Sequence, residues 1–164
     1  MLPRTLGLRG SKLSLYEGGI RLPFIVRWPG KVPAGRVDET TVVSAVDMFP
    51  TLCAMGGAKM GAVSDGEEMS AALLGRSVVR SRLIFWEYGR NTNSFAYPPD
   101  AKHRSPNVAV RDGHWKLLSN ADGSGAELYD VVADPKETTN VAAEKPEVAT
   151  RLREAALNWR KSQP

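Results

Sequence analysis

A glycine turn between two short alternating runs limits the possible folds of this chain more than any other feature. The runs cover residues 107–111 and 114–118, and Asp112-Gly113 lies between them. Asp-Gly in this position is the strongest short-range signal for a β-hairpin. Two further runs, at residues 82–88 and 127–130, also have the composition of short strands. Together the four runs predict an antiparallel sheet, because strands this close in sequence pair as neighbours.

The end of the chain predicts an amphipathic helix over residues 146–161. Pro146 suits the first helical position, where its missing N–H has no partner to lose, and Glu147 suits the positive end of the helix dipole. Apolar residues then recur at steps of three and four from Val148 to Trp159. We expect this apolar face to pack on one side of the predicted sheet.

The first half of the chain predicts elements of a different kind. Residues 23–28 form a short apolar run closed by Pro29-Gly30, which is typical of a buried strand. Asp47 is expected to cap a helix that carries Pro50 in its first turn and ends at Gly56-Gly57. The fold class is therefore α/β, or an α+β fragment, with a strand and a helix that belong to a larger sheet.

Length, charge and cysteine content narrow the possible functions. The 164 residues carry 22 basic and 18 acidic side chains, and no basic run accompanies the net charge of +4. We therefore predict no nucleic-acid partner. No apolar stretch approaches the roughly 18 residues of a membrane helix, so we predict no membrane partner. One cysteine and two histidines exclude a cysteine zinc cage and disfavour a histidine-rich metal centre.

Six segments of the chain, in order, resemble the type I, formylglycine-dependent sulfatases. They are LRGSKLSLYEGGIRLP (8–23), VRWPG with PAG (26–35), DMFPTL (47–52), DGEEMS with LLG (65–75), RDGHWKL (111–117), and ELYD with DPKETTN (127–140). One segment alone is weak evidence, whereas six in register are specific. The chain is most similar to the C-terminal part of enzymes in the arylsulfatase and N-acetylgalactosamine-6-sulfatase group.

The resemblance implies an alkaline-phosphatase-like fold and hydrolysis of sulfate esters, on a sulfated sugar or an aryl sulfate. It also implies two domains: residues 1–70 as the tail of the catalytic α/β domain and residues 71–164 as an antiparallel-sheet subdomain, with the boundary near 65–80. Full-length members use a formylglycine nucleophile, made in a C/S-x-P-S/A-R segment, and a calcium ion.

Neither of these two catalytic groups is expected within this chain. Cys53 lacks the proline two residues on and the arginine four residues on, so it is interpreted as a small buried side chain on a helix. The residues before Arg9 include no Asp or Asn to bind calcium. We therefore predict no cofactor and no metal ligand in this chain, and no turnover by the chain alone.

Lys12 is the catalytic residue that the resemblance carries over. The family's lysine at this place reaches the sulfate and helps to stabilise the leaving oxygen. A lysine ammonium suits that role because it brings a positive charge and three donors to the place where negative charge accumulates. Gly10 would allow a close approach of the backbone, and Ser11 replaces the glycine that is common in the family.

Three further polar residues are candidates for the site. His103 and Arg104 lie in a long irregular loop, residues 89–106, and are predicted with Lys12 to contact the sulfate or a sugar hydroxyl. Glu17 is interpreted as a structural ion-pair partner of Arg21, Arg9 or Lys12.

The aromatic and histidine side chains of the predicted strands are expected to support the fold and not the chemistry. Trp86 and Tyr88 could stack on a sugar ring, but the interpretation as core residues is preferred. His114 is placed on a hairpin strand without a catalytic role.

A second function stays open beside the enzymatic one. With Met1 as a plausible start, the chain is also compatible with a non-catalytic module that binds a sulfated glycan through Lys12, Arg21, Arg104 and aromatic side chains. In either case we expect the chain to self-associate, because the predicted strand at 23–28 would otherwise leave an apolar face uncovered. The location is unknown from this chain; the resemblance implies the periplasm, secretion or the lysosome.

Overall fold

The computed structural model describes residues 5–61, 63–90 and 96–164. It divides the chain into two compact units, one formed by Met1–Leu22 with Ile84–Pro164, the other by Pro23–Leu83. Met1 and the middle of the predicted 89–106 loop, residues 91–95, lie outside the described residues. The domain boundary near residues 65–80 concerns a longer protein and stays a prediction.

Four strands and four α-helices make up the regular structure of the described residues. The helices are α1 (Glu17–Ile20), α2 (Met48–Met55), α3 (Ser70–Leu73) and α4 (Pro146–Ser162); the strands are β1 (Ile84–Glu87), β2 (Val108–Asp112), β3 (Trp115–Ser119) and β4 (Glu127–Asp130). The strands form one antiparallel sheet in the order β1-β2-β3-β4. The predicted four-stranded sheet is therefore confirmed.

The β2–β3 hairpin turns one residue later than the sequence indicated. Asp112 pairs with Trp115, so the two loop residues are Gly113 and His114. Gly113 has φ +57°, which a residue without a side chain adopts at little cost. His114 is consequently an exposed loop residue, and its placement on a strand was wrong.

Helix α4 covers one face of the sheet, as its apolar pattern predicts. Pro146 occupies the first turn, and Leu152 and Ala156 are fully buried. The rings of Phe85 on β1 and Trp159 on α4 stack with their centroids 5.0 Å apart. Stacked aromatic rings and buried aliphatic side chains together fix the helix on this face.

The opposite face of the sheet is covered by the start of the chain. Leu15 and Tyr16 join a buried cluster with Ala109, Leu118 and Tyr129 from β2, β3 and β4. Alternation along the strands explains this, because residues two apart on a strand point to the same face. The sheet is therefore packed on both sides within this unit.

The unit formed by Pro23–Leu83 contains α2, where the sequence predicted a helix, and the short helix α3. Asp47 precedes α2 but makes no side-chain cap to it. Its carboxylate instead accepts from Arg80 Nη2 at 2.9 Å and from the backbone N–H groups of Ser44 and Glu67. The predicted capping role was wrong because a buried carboxylate needs more partners than one helix end supplies.

The strand predicted for residues 23–28 is not formed in the structure. This segment has no regular secondary structure, and Phe24 and Ile25 are 56% and 90% exposed. A strand needs a neighbour to pair its backbone groups, and none of the described strands lies beside this segment. The apolar pattern of residues 23–28 therefore indicates a strand propensity, but the described part of the chain supplies no partner strand for it.

Candidate functional site

The predicted catalytic lysine lies on a tightly closed loop, residues 9–19, called the Lys12 loop below. Its base is closed by the Gly18 N–H, which donates to the Arg9 carbonyl oxygen at 2.7 Å. Within it, the Ser14 N–H donates to the Ser11 carbonyl oxygen at 3.1 Å. Lys12 lies in this inner turn, and its side chain is exposed. The Lys12 ammonium is thus exposed to solvent on a loop whose two ends are joined by a hydrogen bond.

The backbone of the Lys12 loop is wound into conformations that few side chains allow. Gly10 has φ +87°, and a Cβ there would lie 2.7 Å from the Tyr16 Cβ. The absence of a side chain at Gly10 thus allows its backbone to pack closely against Tyr16 within the same loop. Leu13, next to Lys12, has φ +79° although it carries a side chain. Strained residues of this kind persist where surrounding structure fixes them, and they cluster at functional sites.

Arg9 ties the beginning of the loop to strand β4. Its guanidinium lies 3.8 Å from the centre of the Tyr16 ring, and its Nη1 donates to the Tyr129 hydroxyl at 2.7 Å. Both tyrosine hydroxyls donate to Glu127 Oε2 at 2.8 Å. Burial, reinforced by the Glu127 carboxylate, raises the pKa of Tyr16 and Tyr129, so both phenols stay protonated as donors.

A buried ion triad lies beneath the loop. Lys116, on β3, is fully buried and lies 2.9 Å from Glu17 Oε1 and 2.9 Å from Glu137 Oε1. Glu137 Oε2 also accepts from the Glu17 N–H at 2.7 Å. Burial raises the pKa of Glu137, and the Lys116 ammonium and the Glu17 N–H oppose that shift. The ion pair predicted for Glu17 with Arg21, Arg9 or Lys12 was wrong, because Lys116 is its partner.

The second predicted site segment is joined to the Lys12 loop by one hydrogen bond. Ser105 Oγ accepts from the Leu15 N–H at 2.8 Å. The two residues before Ser105 are His103, at the end of a short 3₁₀ helix (Ala101–His103), and Arg104. The structure therefore holds the segment that carries His103 and Arg104 against the loop that carries Lys12.

His103 and Arg104 differ in how they are held. The Nδ1 atom of His103 is buried and has no hydrogen-bond partner among the described residues. Arg104 is exposed; its Nε donates to the Pro98 carbonyl oxygen at 3.0 Å, and its guanidinium lies 5.7 Å from the centre of the Tyr97 ring. Its terminal nitrogens form no hydrogen bond with the described part of the protein. An anion or hydroxyl is the kind of group that both side chains could contact.

The remaining candidates have structural positions. Cys53 lies on α2 and is half-buried. Trp86 and Tyr88 pack against the cluster around Leu118, as the core interpretation expects. Within the described ranges, no three His, Cys, Asp or Glu side chains come together to hold a metal ion. No described helix is long and apolar enough to cross a bilayer.

Two residues that organise the site escaped the sequence interpretation. Lys116 lies two residues before Leu118 on β3, so strand alternation alone places it on a buried face, where a lysine needs acidic partners. That signal was available. Glu137 gave none, because it lies in a polar tail and its partner Glu17 is 120 residues away.

The sequence profile of a family described as N-sulphoglucosamine sulphohydrolase, C-terminal, matches residues 11–162. The chain belongs to this family. It is 34% identical over 148 residues to an N-acetylgalactosamine-6-O-sulfatase of Bacteroides thetaiotaomicron, covering 89% of this chain and 28% of that protein. It is 31% identical over 177 residues to arylsulfatase A of Homo sapiens, covering 92% of this chain and 32% of that protein. The resemblance to the C-terminal part of a sulfatase is confirmed.

A solved structure with a similar fold supports the assignment of this chain to the C-terminal part of a sulfatase. It is described as "Metabolism of multiple glycosaminoglycans by bacteroides thetaiotaomicron is orchestrated by a versatile core genetic locus" and matches with a TM-score of 0.72 at 28% identity. The match covers 96% of this chain and 32% of the other. The chain therefore spans about a third of the length of the proteins that it matches, and the predicted fold class is confirmed.

Proposed function

We propose that this chain supplies the lysine side of a sulfatase active site, in a protein that hydrolyses sulfate esters. Lys12 binds the sulfate group, and its ammonium stabilises the negative charge that grows on the leaving oxygen. The observation that carries the proposal is the exposed Lys12 ammonium on a loop whose backbone is closed, strained and anchored to the sheet. Preorganisation of this kind is what electrostatic catalysis requires.

The proposed substrate is a sulfated sugar, with an aryl sulfate as the simpler alternative. His103 and Arg104 follow as substrate-binding residues, because their segment is bonded to the Lys12 loop through Ser105. The guanidinium of Arg104 suits a sulfate oxygen, and the partly exposed imidazole of His103 suits a sugar hydroxyl. The name of the Bacteroides relative, N-acetylgalactosamine-6-O-sulfatase, supports a sulfated amino sugar.

The nucleophile and the calcium ion belong, in this proposal, to the remainder of a longer protein. A formylglycine hydrate would supply the attacking oxygen, and calcium would supply positive charge at the sulfate. The residues of this chain bind, orient and neutralise the sulfate from the side of the leaving group. The 164-residue chain by itself is therefore expected to bind sulfate weakly and to turn over no ester.

Sulfate titration of the 164-residue chain, followed by NMR, tests the role of Lys12. We expect shifts concentrated at residues 10–15, and Lys12→Ala to weaken binding at least tenfold without loss of fold, because Lys12 is exposed. Lys31→Ala, which removes another exposed lysine, is the matched control. In a full-length sulfatase that contains this chain, Lys12→Ala should lower kcat/KM by about 100- to 1000-fold. Unchanged sulfate binding by Lys12→Ala would overturn the proposal.

A non-catalytic module that binds a sulfated glycan is the second candidate. The exposed side chains of Arg21 and Arg104, together with Lys12, favour it. The two functions differ in the test: a binding module binds a sulfated glycan tightly as the 164-residue chain, whereas the active-site part needs the rest of the enzyme for tight binding and turnover.

A further inference from the structure

One residue far along the chain holds both ends of the Lys12 loop. The carbonyl oxygen of Glu137 accepts from Arg9 Nη1 at 3.1 Å, at the beginning of the loop. The carboxylate of the same residue accepts from the Glu17 N–H at 2.7 Å, near the end of the loop. Lys12 lies between these two points. Glu137 therefore braces both ends of the loop, in addition to the direct hydrogen bond from Gly18 to Arg9 that closes its base.

Glu137 is itself fixed by the sheet. It is 1% exposed, and its φ of +53° is a left-handed conformation that a glutamate adopts only when its surroundings hold it there. Its Oε1 lies 2.9 Å from the buried ammonium of Lys116, the second residue of β3. A buried carboxylate with such a counter-ion has little freedom to move, because any other position leaves a charge unpaired.

We infer that Glu137 is a positioning residue for Lys12. Glu137 is held by Lys116 on β3, and it in turn holds both ends of the loop that presents the Lys12 ammonium. The inference rests on the proposed role of Lys12. Glu137 touches no substrate in this account. It acts by holding Arg9 and Glu17, so its loss should widen the range of positions that Lys12 samples and weaken sulfate binding.

Two substitutions of Glu137 distinguish the effect of its negative charge from the effect of its side-chain length. Glu137→Gln keeps an oxygen that can accept from the Glu17 N–H, but it removes the negative charge that faces Lys116. Glu137→Asp keeps the charge and suits a positive φ, since aspartate tolerates this conformation better than glutamate, but it shortens the side chain by one carbon. Glu137→Asp is therefore the variant that decides the matter if Glu137→Gln fails to fold.

The experiment combines two measurements on the 164-residue chain. Amide hydrogen exchange reports the loop directly, and NMR titration with inorganic sulfate reports binding at Lys12. For either variant we expect exchange at Glu17 and Gly18 to become at least tenfold faster and sulfate binding to become at least fivefold weaker. Exchange at the amides of the β2–β3 hairpin should remain slow, because the sheet keeps its ladder.

Two control variants isolate positioning from other effects. Glu144→Gln removes an exposed carboxylate from the same part of the chain and should change neither measurement. Leu152→Ala lowers global stability through the fully buried side chain on α4, and it should leave sulfate binding unchanged while the chain is folded. A loss of binding in Leu152→Ala equal to that in the Glu137 variants would overturn the positioning role.

The outcomes also separate this inference from the proposed function. If the unsubstituted chain binds no sulfate at Lys12, the proposed function fails, and hydrogen exchange still reports whether Glu137 holds the loop. If the chain binds sulfate and both Glu137 variants exchange and bind as it does, the positioning role is wrong and the proposed function stands.

Discussion

Asp47 and Arg80 form an ion pair that is almost completely shielded from water. Their side chains are 0% and 6% exposed, and Asp47 also accepts from the Ser44 and Glu67 N–H groups at 2.7 and 2.8 Å. Burial raises the pKa of the Asp47 carboxyl, but the bonds from Arg80 and from these two N–H groups outweigh it and hold the pKa below its usual 3.8. The ionised carboxylate is thus built into the fold of this unit.

Asp47→Asn should therefore be one of the most destabilising single substitutions in this unit. We expect a loss of about 3 to 5 kcal/mol at pH 7, because Arg80 is left buried without its counter-ion. The folded pKa of Asp47 lies below the unfolded one, so its contribution is complete above about pH 4 and is lost as the pH falls through the folded pKa. The cost of Asp47→Asn should shrink accordingly at acid pH.

Urea unfolding at pH 7 and at pH 3 measures both effects. Glu39→Gln, at an exposed carboxylate in the same unit, is the control and should change the free energy of unfolding by less than about 0.5 kcal/mol. An equal cost of Asp47→Asn at the two pH values would contradict this account of the ion pair.

At the scale of the elements, α1 and the Lys12 loop leave no room for a side chain at Gly19. A Cβ added at Gly19 would overlap the Ser14 carbonyl oxygen and lie 2.6 Å from the Ser11 carbonyl oxygen. Both contacts are to backbone, which cannot rotate away. Gly19→Ala should thus displace the turn that carries Lys12, at a cost of about 1 to 3 kcal/mol.

Hydrogen exchange of the loop and urea unfolding together test this prediction. Gly61→Ala is the matched control, because no atom of the described residues lies within 4 Å of the position that its new Cβ would take and its φ is not positive. Native exchange rates at residues 14–19 in Gly19→Ala would show that the loop is not as tightly wound as its contacts indicate.

Elements whose partners are close in sequence were predictable, and those with distant partners were not. The β2–β3 hairpin and α4 carry their own signals, in a glycine turn and in an apolar stripe. Residues 23–28 have the composition of a strand, but composition does not supply the neighbouring strand that pairing requires. For the proposed site, Lys12 is a prediction from resemblance, whereas the positioning role proposed for Glu137 depends on a fold that brings together residues more than one hundred positions apart.

At the scale of the whole molecule, one segment near residues 24–28 exposes large apolar side chains that proteins normally bury. Phe24, Ile25 and Trp28 are 56%, 90% and 42% exposed within five residues of chain. Burial of apolar surface contributes about 25 cal/mol per Å², so contact between copies through this segment is favourable. We predict self-association of the 164-residue chain at high concentration.

Sedimentation velocity across a concentration series checks this prediction. Ile25→Lys should shift the chain toward monomer, because it places a charge in the most exposed apolar position of the segment. Val132→Lys, at another exposed apolar side chain in the other unit, is the control and should leave association unchanged. A chain that sediments as a monomer at every concentration would contradict the prediction.

The same unit that carries Lys12 is completed only by the last part of the chain to be synthesised. Glu17 meets Lys116 across 99 residues and Glu137 across 120. At about 5 to 20 residues per second, a ribosome needs roughly 6 to 25 s to travel from Lys12 to Glu137. During that time Arg9 and the Glu17 N–H lack the two acceptors that Glu137 supplies. Translation that stops short of Glu137 therefore yields a chain that contains Lys12 but lacks the residue proposed to position it.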